Sequence, residues 1–435
     1  MTDGHDLARR CLRAGIDAAH PETVVRERLS LDDMTLTVVD HAYDLDRYDQ
    51  VVVVGGGNAA GTVATELEEL LGDRLDGGVV VTDVPTATER IEQAEGTHPR
   101  PNAGAVAGAE RITELLAAVD DRTLVLAAVT GGASALLPAP AGDLSLADLR
   151  VTTDELLASG ASIREINAVR KHLSATKGGR LAAVAAPATV ATLLFSDVVG
   201  DDASVIGSGP FTPDETTYGD ALAVVERYGL ELPTAAVARL QAGRDGQHPE
   251  TPDADDPAFE HVAEHLLASN HTAARAAFDV ACQAGYEPML LSTRVRGEAR
   301  EAAKSAVAVG EEIAATGNPT EPPAVVVTGG ETTVTVRTDR PGTSGPNTEY
   351  ALAAGLELDT PGVVLAAVDT DGIDGDASVA GASVDADTVT PETRWRAQRA
   401  LDSHDAATYL DGCNATIETG ATGTNVNDLR VVVVE

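Results

Sequence analysis

Aromatic side chains are scarce in this chain, which has seven Tyr, four Phe and one Trp among 435 residues. Its cores must therefore be built from Val, Leu and Ala, small side chains that reach native density only by packing closely. Cysteine is rarer still. Cys11, Cys282 and Cys413 lie far apart, are odd in number and form no CxxC pair, so neither a disulfide framework nor a structural zinc site is expected. Thiols of this kind suit a reducing compartment, and a cytoplasmic location is expected. No apolar run approaches the roughly 18 residues that span a bilayer, and MTDGHDLARR lacks the apolar stretch of a secretory signal. Positive charge is the third shortage: 31 Lys and Arg stand against 69 Asp and Glu, a net charge of −38, and only three residues are Lys. Such a surface repels nucleic acid and anionic membranes. Excess carboxylate with few lysines also suggests adaptation to molar salt, where the Debye length falls to about 3 Å.

What is present is an α/β pattern long enough for two cores. Helical spacing over 7–19, with Asp3 to cap it and Pro21 to stop it, leads to an alternating strand at 34–40 and a continuous β-branched run at 51–54. That run, the loop GGGNAAG and a helix through residue 71 make the strand, glycine turn and helix of doubly wound folds. Strands at 78–83, 124–129 and 190–195 and helices at 103–119, 148–157 and 220–228 continue the alternation. The polar, proline-bearing stretch 241–256 reads as a linker. It separates an expected Rossmann-like domain with a mainly parallel sheet, 1–245, from a smaller α/β domain, 258–435. In the second half strands are expected at 261–269, 289–292, 363–368 and 431–434, and helices at 271–284, 298–315 and 348–356. Two further strands, 325–328 and 332–337, are expected to join at GGET.

Charge is concentrated in 159–214. Arg164, Arg170, Lys171, His172, Lys177 and Arg180 fall within seventeen residues and include two of the three lysines. Arg grips a carboxylate or phosphate bidentately and Lys supplies a compact charge, so a small anionic ligand is indicated, against the plainer reading of a solvated basic helix. Asp197 lies where the buried strand 190–195 opens at its carboxyl end, the edge at which open α/β sheets bind ligands. Two glycine loops, Gly55, Gly56, Gly57 and Asn58, then Gly131 and Gly132 followed by Ser134, each open a helix and could present amides to an anion. His98, with Pro99 and Pro101 beside it, sits in a third loop. Gly55, Gly57 and Ala60 also satisfy a loose dinucleotide fingerprint with Asp83 beyond it, so an NAD(P) site remains open. The stretch DTDGIDGD fails as an EF-hand because Ala380 stands where a bidentate Glu is needed. A strand-end turn in which Asp369 and Asp371 hold Mg²⁺ or water fits better.

The blocks SGASIREINAVRKHLSATKGGR and SDVVGDDASVIGSGPFTPD resemble the core signature of the glycerate 2-kinase, or MOFRL, family. The resemblance extends through EGTHPRPNAGAVAGAERI, TGGASALL, GGETTVTV, DTDGIDGDASVAGA and TGATGTNVNDL, and so covers nearly the whole chain. It implies ATP-dependent phosphorylation of glycerate at the 2-position, with Mg²⁺, in a cleft between two α/β domains. On that reading Arg170 and Lys171 face the transferring phosphoryl group, and Asp197 is base or metal ligand beside Asp369 and Asp371. Arg164, Lys177, Ser134 and His98 hold the substrate, while the two glycine loops, Asn347 and Glu349 hold the nucleotide. The chain departs from the family pattern twice: Asn58 stands where Lys is usual, and Pro346 where Arg is usual. The expected partners are glycerate and ATP, with a homodimer left open and neither nucleic acid nor membrane. The competing readings are an NAD(P)-dependent hydroxypyruvate reductase and a non-catalytic ligand binder.

Overall fold

The computed structural model describes residues 3–336, 338 and 340–435. The chain divides into two compact units, Val24–Leu267 and the segment up to Thr23 together with Ala268–Glu435. The first unit begins with a small antiparallel meander, β1 (Leu29–Asp32), β2 (Thr35–Val38) and β3 (His41–Asp44). Its main sheet contains β4 (Gln50–Gly56), β5 (Gly77–Thr82), β6 (Ile91–Glu95), β7 (Thr123–Val129), β8 (Thr189–Phe195) and β9 (Val262–Ala268), in the order β6-β5-β4-β7-β8-β9. The pairings from β6 through β8 are all parallel. The sequence dictates this. Every residue of the run TLVLAAV is buried, as expected of a strand covered on both faces. The chain winds outward from β4 through β5 and β6, then returns to β7 and winds the other way. The carboxyl ends of β4 and β7 therefore flank the point where strand order reverses.

Scarcity of aromatics is met by close approach. On the helix Ala103–Leu116, a Cβ at Gly108 would stand 2.6 Å from Val81 and 2.8 Å from Ala94, so glycine lets this helix sit directly on β5 and β6.

In the second unit the sheet is mixed. It contains β10 (Glu287–Glu298), β11 (Ala324–Thr333), β12 (Val363–Asp369), β13 (Gly381–Asp385), β14 (Thr416–Ile417) and β15 (Asp428–Val434), in the order β10-β11-β15-β12-β13-β14. β10 and β11 are parallel and the remaining neighbours antiparallel. The helix Gly4–Ala19, capped by Asp3 as expected, packs on the helix Asn270–Gln283 and on β15. Its His5 bonds to Ser383 at 2.7 Å and Asp385 at 3.1 Å.

Several local expectations are corrected. Pro21 does not end helical structure but opens a second helix, Pro21–Arg28, at the first position, where no N–H is needed. The GGET stretch is not a turn between two strands. β11 runs through it unbroken, and Gly330, at φ 135°, lets Val295 of β10 come within 2.2 Å of where a Cβ would be. Arg337, the expected end of the second strand, lies outside the described residues. The helix Thr234–Arg244 occupies the start of the stretch read as a linker. Among the described residues no helix is long and apolar enough to cross a membrane.

Candidate functional site

At the reversal point the loops after β4 and β7 interlock. Gly55 and Gly57 have φ of 141° and 135°, and a Cβ on them would stand 1.8 Å from the Ala128 carbonyl oxygen and 2.1 Å from Thr130 Oγ1. No other residue fits there. The amides of the loop are taken up within the protein. Gly57 N donates to Val81 O at 3.0 Å, Asn58 N to Gly131 O at 2.8 Å, Ala59 N to Thr130 Oγ1 at 3.2 Å and Ala60 N to Gly57 O at 3.1 Å. The expectation that this loop offers its amides to phosphate therefore gives way to a different picture, in which the loop presents a side chain. Asn58 lies over Gly132, where a Cβ would meet its Oδ1 at 1.7 Å and His98 Cδ2 at 3.3 Å. Asn58 Oδ1 is buried without a hydrogen-bond partner.

Asp197 joins this group from the end of β8. A Cβ on Gly131 would be 2.7 Å from its Oδ2. Burial pushes the Asp197 carboxyl above the usual range, while its own amide, His98 and the Gly132 amide pull the other way without cancelling the rise. A carboxylate raised in this manner holds a proton more readily, which suits a general base. Asn58, His98, Gly131, Gly132 and Asp197 thus converge on one place.

The short helix Ala133–Leu136 leads from Gly132 to Leu137, about 6 Å of helical rise. Along it Ser134 Oγ bonds to Ser208 Oγ at 2.7 Å, and Ser208 donates to Asn167 Oδ1 at 3.0 Å. At its far end Lys177 Nζ lies 3.4 Å from the Leu137 carbonyl. Burial, with a smaller contribution from the neighbouring Arg170 charge, brings Lys177 down to about 7. Burial alone pulls half-buried Arg170 below its ordinary value. Two cations that disfavour one another in a dry place form a ready seat for an anion.

The other cations of this stretch stand elsewhere. The helix Ile163–His172 is fixed at its start by a Ser162–Glu165 capping box and carries Arg170, Lys171 and His172 in its last turn, where the helix dipole favours positive charge. Arg164 is exposed and pairs with Asp202. Lys171, 4% exposed, donates to Asp214 Oδ1 at 3.0 Å. Burial draws the Asp214 carboxyl up, but Lys171 and the donors of Thr216 outweigh it and hold it low. Lys171, expected to face the transferring phosphoryl group, is instead engaged in an internal ion pair.

A second polar cluster lies in the other unit. Pro346 opens the helix Pro346–Glu357, where a missing N–H costs nothing, and the next two amides, Asn347 and Thr348, donate to Asp374 at 2.8 and 2.7 Å. Burial still lifts Asp374 to about 6. Asn347 Nδ2 also donates to Asp428 at 2.7 Å. Asp428 accepts as well from Thr332 N at 3.0 Å and from Arg430, whose guanidinium lies 4.6 Å over the Tyr350 ring. Glu349, expected near the nucleotide, is held by Arg300 at 2.8 Å and His404 at 2.6 Å. Burial, with Asp371 and Asp428, raises the Asp369 carboxyl well above its ordinary value. Among the described residues no group of three or more His, Cys, Asp or Glu is arranged to cage a metal.

Sequence reasoning passed over Asn167, Ser208, Asp214, Asp428 and Arg430. Asn167 and Ser208 lie inside the quoted blocks, but their contact has no local spacing. The pairing of Asp428 with Thr332 crosses 96 residues.

Comparison with known proteins agrees with the architecture. Residues 7–241 match a family model described as a domain of unknown function (DUF4147), and 324–428 match the MOFRL family. A relative from Agrobacterium vitis, provisionally named hydroxypyruvate reductase, is 38% identical over 100% of this chain and 96% of its own. The glycerate 2-kinase of Pyrococcus horikoshii is 35% identical over 99% of this chain and 98% of its own. A crystal structure of a glycerate kinase from Thermotoga maritima superposes with a TM-score of 0.85 at 33% identity, covering 99% of each chain. With full-length relatives at this identity and the same pair of α/β units, this chain belongs to the glycerate 2-kinase, or MOFRL, family.

Proposed function

We propose that this protein transfers the terminal phosphoryl group of ATP to the 2-hydroxyl of glycerate. The observation that carries the reading is the raised Asp197 carboxyl beside Gly131 at the strand-order reversal, with Lys177 and its neighbour Arg170 at the far end of the short helix that follows Gly132. Asp197 takes the hydroxyl proton as the oxygen attacks phosphorus, and ADP leaves with the bridging oxygen. Arg170 and Lys177 hold the negative charge of the substrate carboxylate or of the transferring group, the kind of preorganised stabilisation on which phosphoryl transfer depends. Asn58 and His98 orient the substrate beside Gly132, and Ser134, fixed by Ser208, lines the way between. Lys171 is a positioning residue that fixes the end of its helix through Asp214. Asp369 and Asp371 have the donor chemistry for Mg²⁺, since burial and the Asp371 charge hold the Asp369 carboxyl up and a cation would relieve it. Bound there, Mg²⁺ would neutralise phosphate charge. Roles usually given to Lys and Arg at the positions of Asn58 and Pro346 pass, on this proposal, to Lys177 and Arg170.

A reductase reading has one structural observation in its favour. Asp83, just beyond β5 where a dinucleotide ribose is usually bound, has a buried Oδ1 without a partner. Against it, the amides of 57–60 that would meet a pyrophosphate already have acceptors. Two assays separate the readings. Glycerate, ATP and Mg²⁺ are expected to yield ADP, while hydroxypyruvate with NADH or NADPH is expected to show no oxidation; the reverse result removes the kinase. We further propose a cytoplasmic protein suited to high salt. Its thermal midpoint is expected to be lower in dilute buffer than in molar KCl, because screening relieves repulsion within a net charge of −38. An equal or higher midpoint in dilute buffer counts against it.

A further inference from the structure

A cavity of about 580 Å³ opens elsewhere in the first unit, and none of the residues around Asp197 lines it. Its wall includes Arg180, Arg239, Ser174 and Thr251, and its edge includes Asp253, Asp255 and Asp256. Arg180 is the first residue of the helix Arg180–Ala185, and its Nε and Nη2 are buried without a hydrogen-bond acceptor. Arg239, on the helix Thr234–Arg244, reaches the same space and donates from Nε to the His172 carbonyl at 3.3 Å.

Two of the nearby carboxylates, Asp214 and Glu250, are already engaged. Asp214 accepts from Lys171, from Thr216 and, at 2.9 Å, from Thr251. Glu250 accepts from Tyr218 N at 3.0 Å and bonds to His172 at 3.2 Å. Burial lowers the Arg180 pKa and the Arg239 charge adds to the effect, with Tyr218 and Asp214 opposing. Two guanidiniums lining one space repel one another, and an oxyanion seated between them would relieve that repulsion. Bidentate recognition of carboxylate or phosphate is what such a pair does well.

We propose that this cavity is a second ligand site, for a small molecule with one compact oxyanion head seated on Arg180 and Arg239. The acidic edge selects the rest of the ligand. Asp253 and Asp255 are exposed and Asp256 half-buried, so they repel a polyanion and favour a neutral or cationic body. The volume suits a small metabolite. A nucleoside triphosphate is excluded, so the site is not a second nucleotide site.

The test is calorimetric titration of the full chain at fixed ionic strength with three probes: phosphoethanolamine, β-alanine and tripolyphosphate. Phosphoethanolamine and β-alanine distinguish a phosphate from a carboxylate head. Binding of at least one of them is expected. It should persist in Lys177→Met and weaken about tenfold or more in both Arg239→Gln and Arg180→Gln, the loss of one charged hydrogen-bonding group. Arg239→Lys, which keeps the charge but not the fork, should give an intermediate loss and guards against a variant that folds poorly. Tripolyphosphate should bind no better to wild type than to Arg239→Gln. Failure of phosphoethanolamine and β-alanine to bind, or binding unaffected by Arg239→Gln, or binding lost instead in Lys177→Met, overturns the proposal. None of these outcomes bears on the kinase reading, because no turnover is measured.

Discussion

Asp197 in one unit and the buried Asp374 and Asp428 in the other differ in how fully their carboxylates are satisfied. Asp428 accepts from Thr332, Asn347 and Arg430, and Asp374 from the Asn347 and Thr348 amides. Asp197 has its own amide and that of Gly132, and Asn58 beside it keeps an unpartnered oxygen. The same contrast separates the lysines of the basic stretch: Lys171 has Asp214, whereas Lys177 has a carbonyl and an Arg neighbour. A buried charge with its counterion in place holds the fold together, and one left short of partners is available to a ligand.

Removing each carboxylate breaks the comparison most sharply. Asp197→Asn is expected to lower kcat about a hundredfold to ten-thousandfold, the usual worth of a general base, with the urea midpoint unchanged or raised. Asp428→Asn leaves Arg430 buried without its counterion and should cost about 3–5 kcal/mol of stability in urea unfolding. Similar destabilisation by both variants would erase the distinction. The lysines give the next largest effect. Lys177→Met should lower kcat about a hundredfold without loss of stability. Lys171→Met should cost about 3 kcal/mol by stranding Asp214. Lys304, exposed and paired with Glu301 at 2.9 Å, is the control, with an effect of less than about 0.5 kcal/mol on replacement. If Lys171→Met abolishes turnover and keeps the wild-type midpoint, Lys171 belongs in the catalytic group after all.

pH supplies a smaller effect of defined sign. Lys177 is lowered from 10.5 to about 7 in the folded chain, so between those values the unfolded chain binds the extra proton and Lys177 makes stability rise with pH. Between pH 7 and 10 the unfolding free energy of wild type should rise relative to that of Lys177→Met. Parallel curves would show that Lys177 is not buried as a free cation.

Much of this could be read from the sequence. The runs at 51–54 and 124–129 announce parallel strands because burial on both faces leaves no polar residue to interrupt them. The strand Ile91–Glu95 is not announced, since at the sheet edge it carries Glu and Gln. The place of Asp197 follows from the strand before it. Helical spacing, by contrast, gives the side of a helix on which Lys171 lies but not that Asp214, 43 residues on, comes to meet it. The glycine loop after β4 is legible as a turn, yet that its amides are occupied depends on Thr130 and Gly131 arriving from another strand.

The most direct test is phosphorus NMR of the products formed from glycerate, ATP and Mg²⁺ by wild type and by Asp197→Asn, with the folded state of both checked by urea unfolding. The account predicts ADP and 2-phosphoglycerate from wild type and almost no phosphorylated glycerate from an equally stable variant. Equal product from both, or none from wild type under conditions where it is folded, would contradict it.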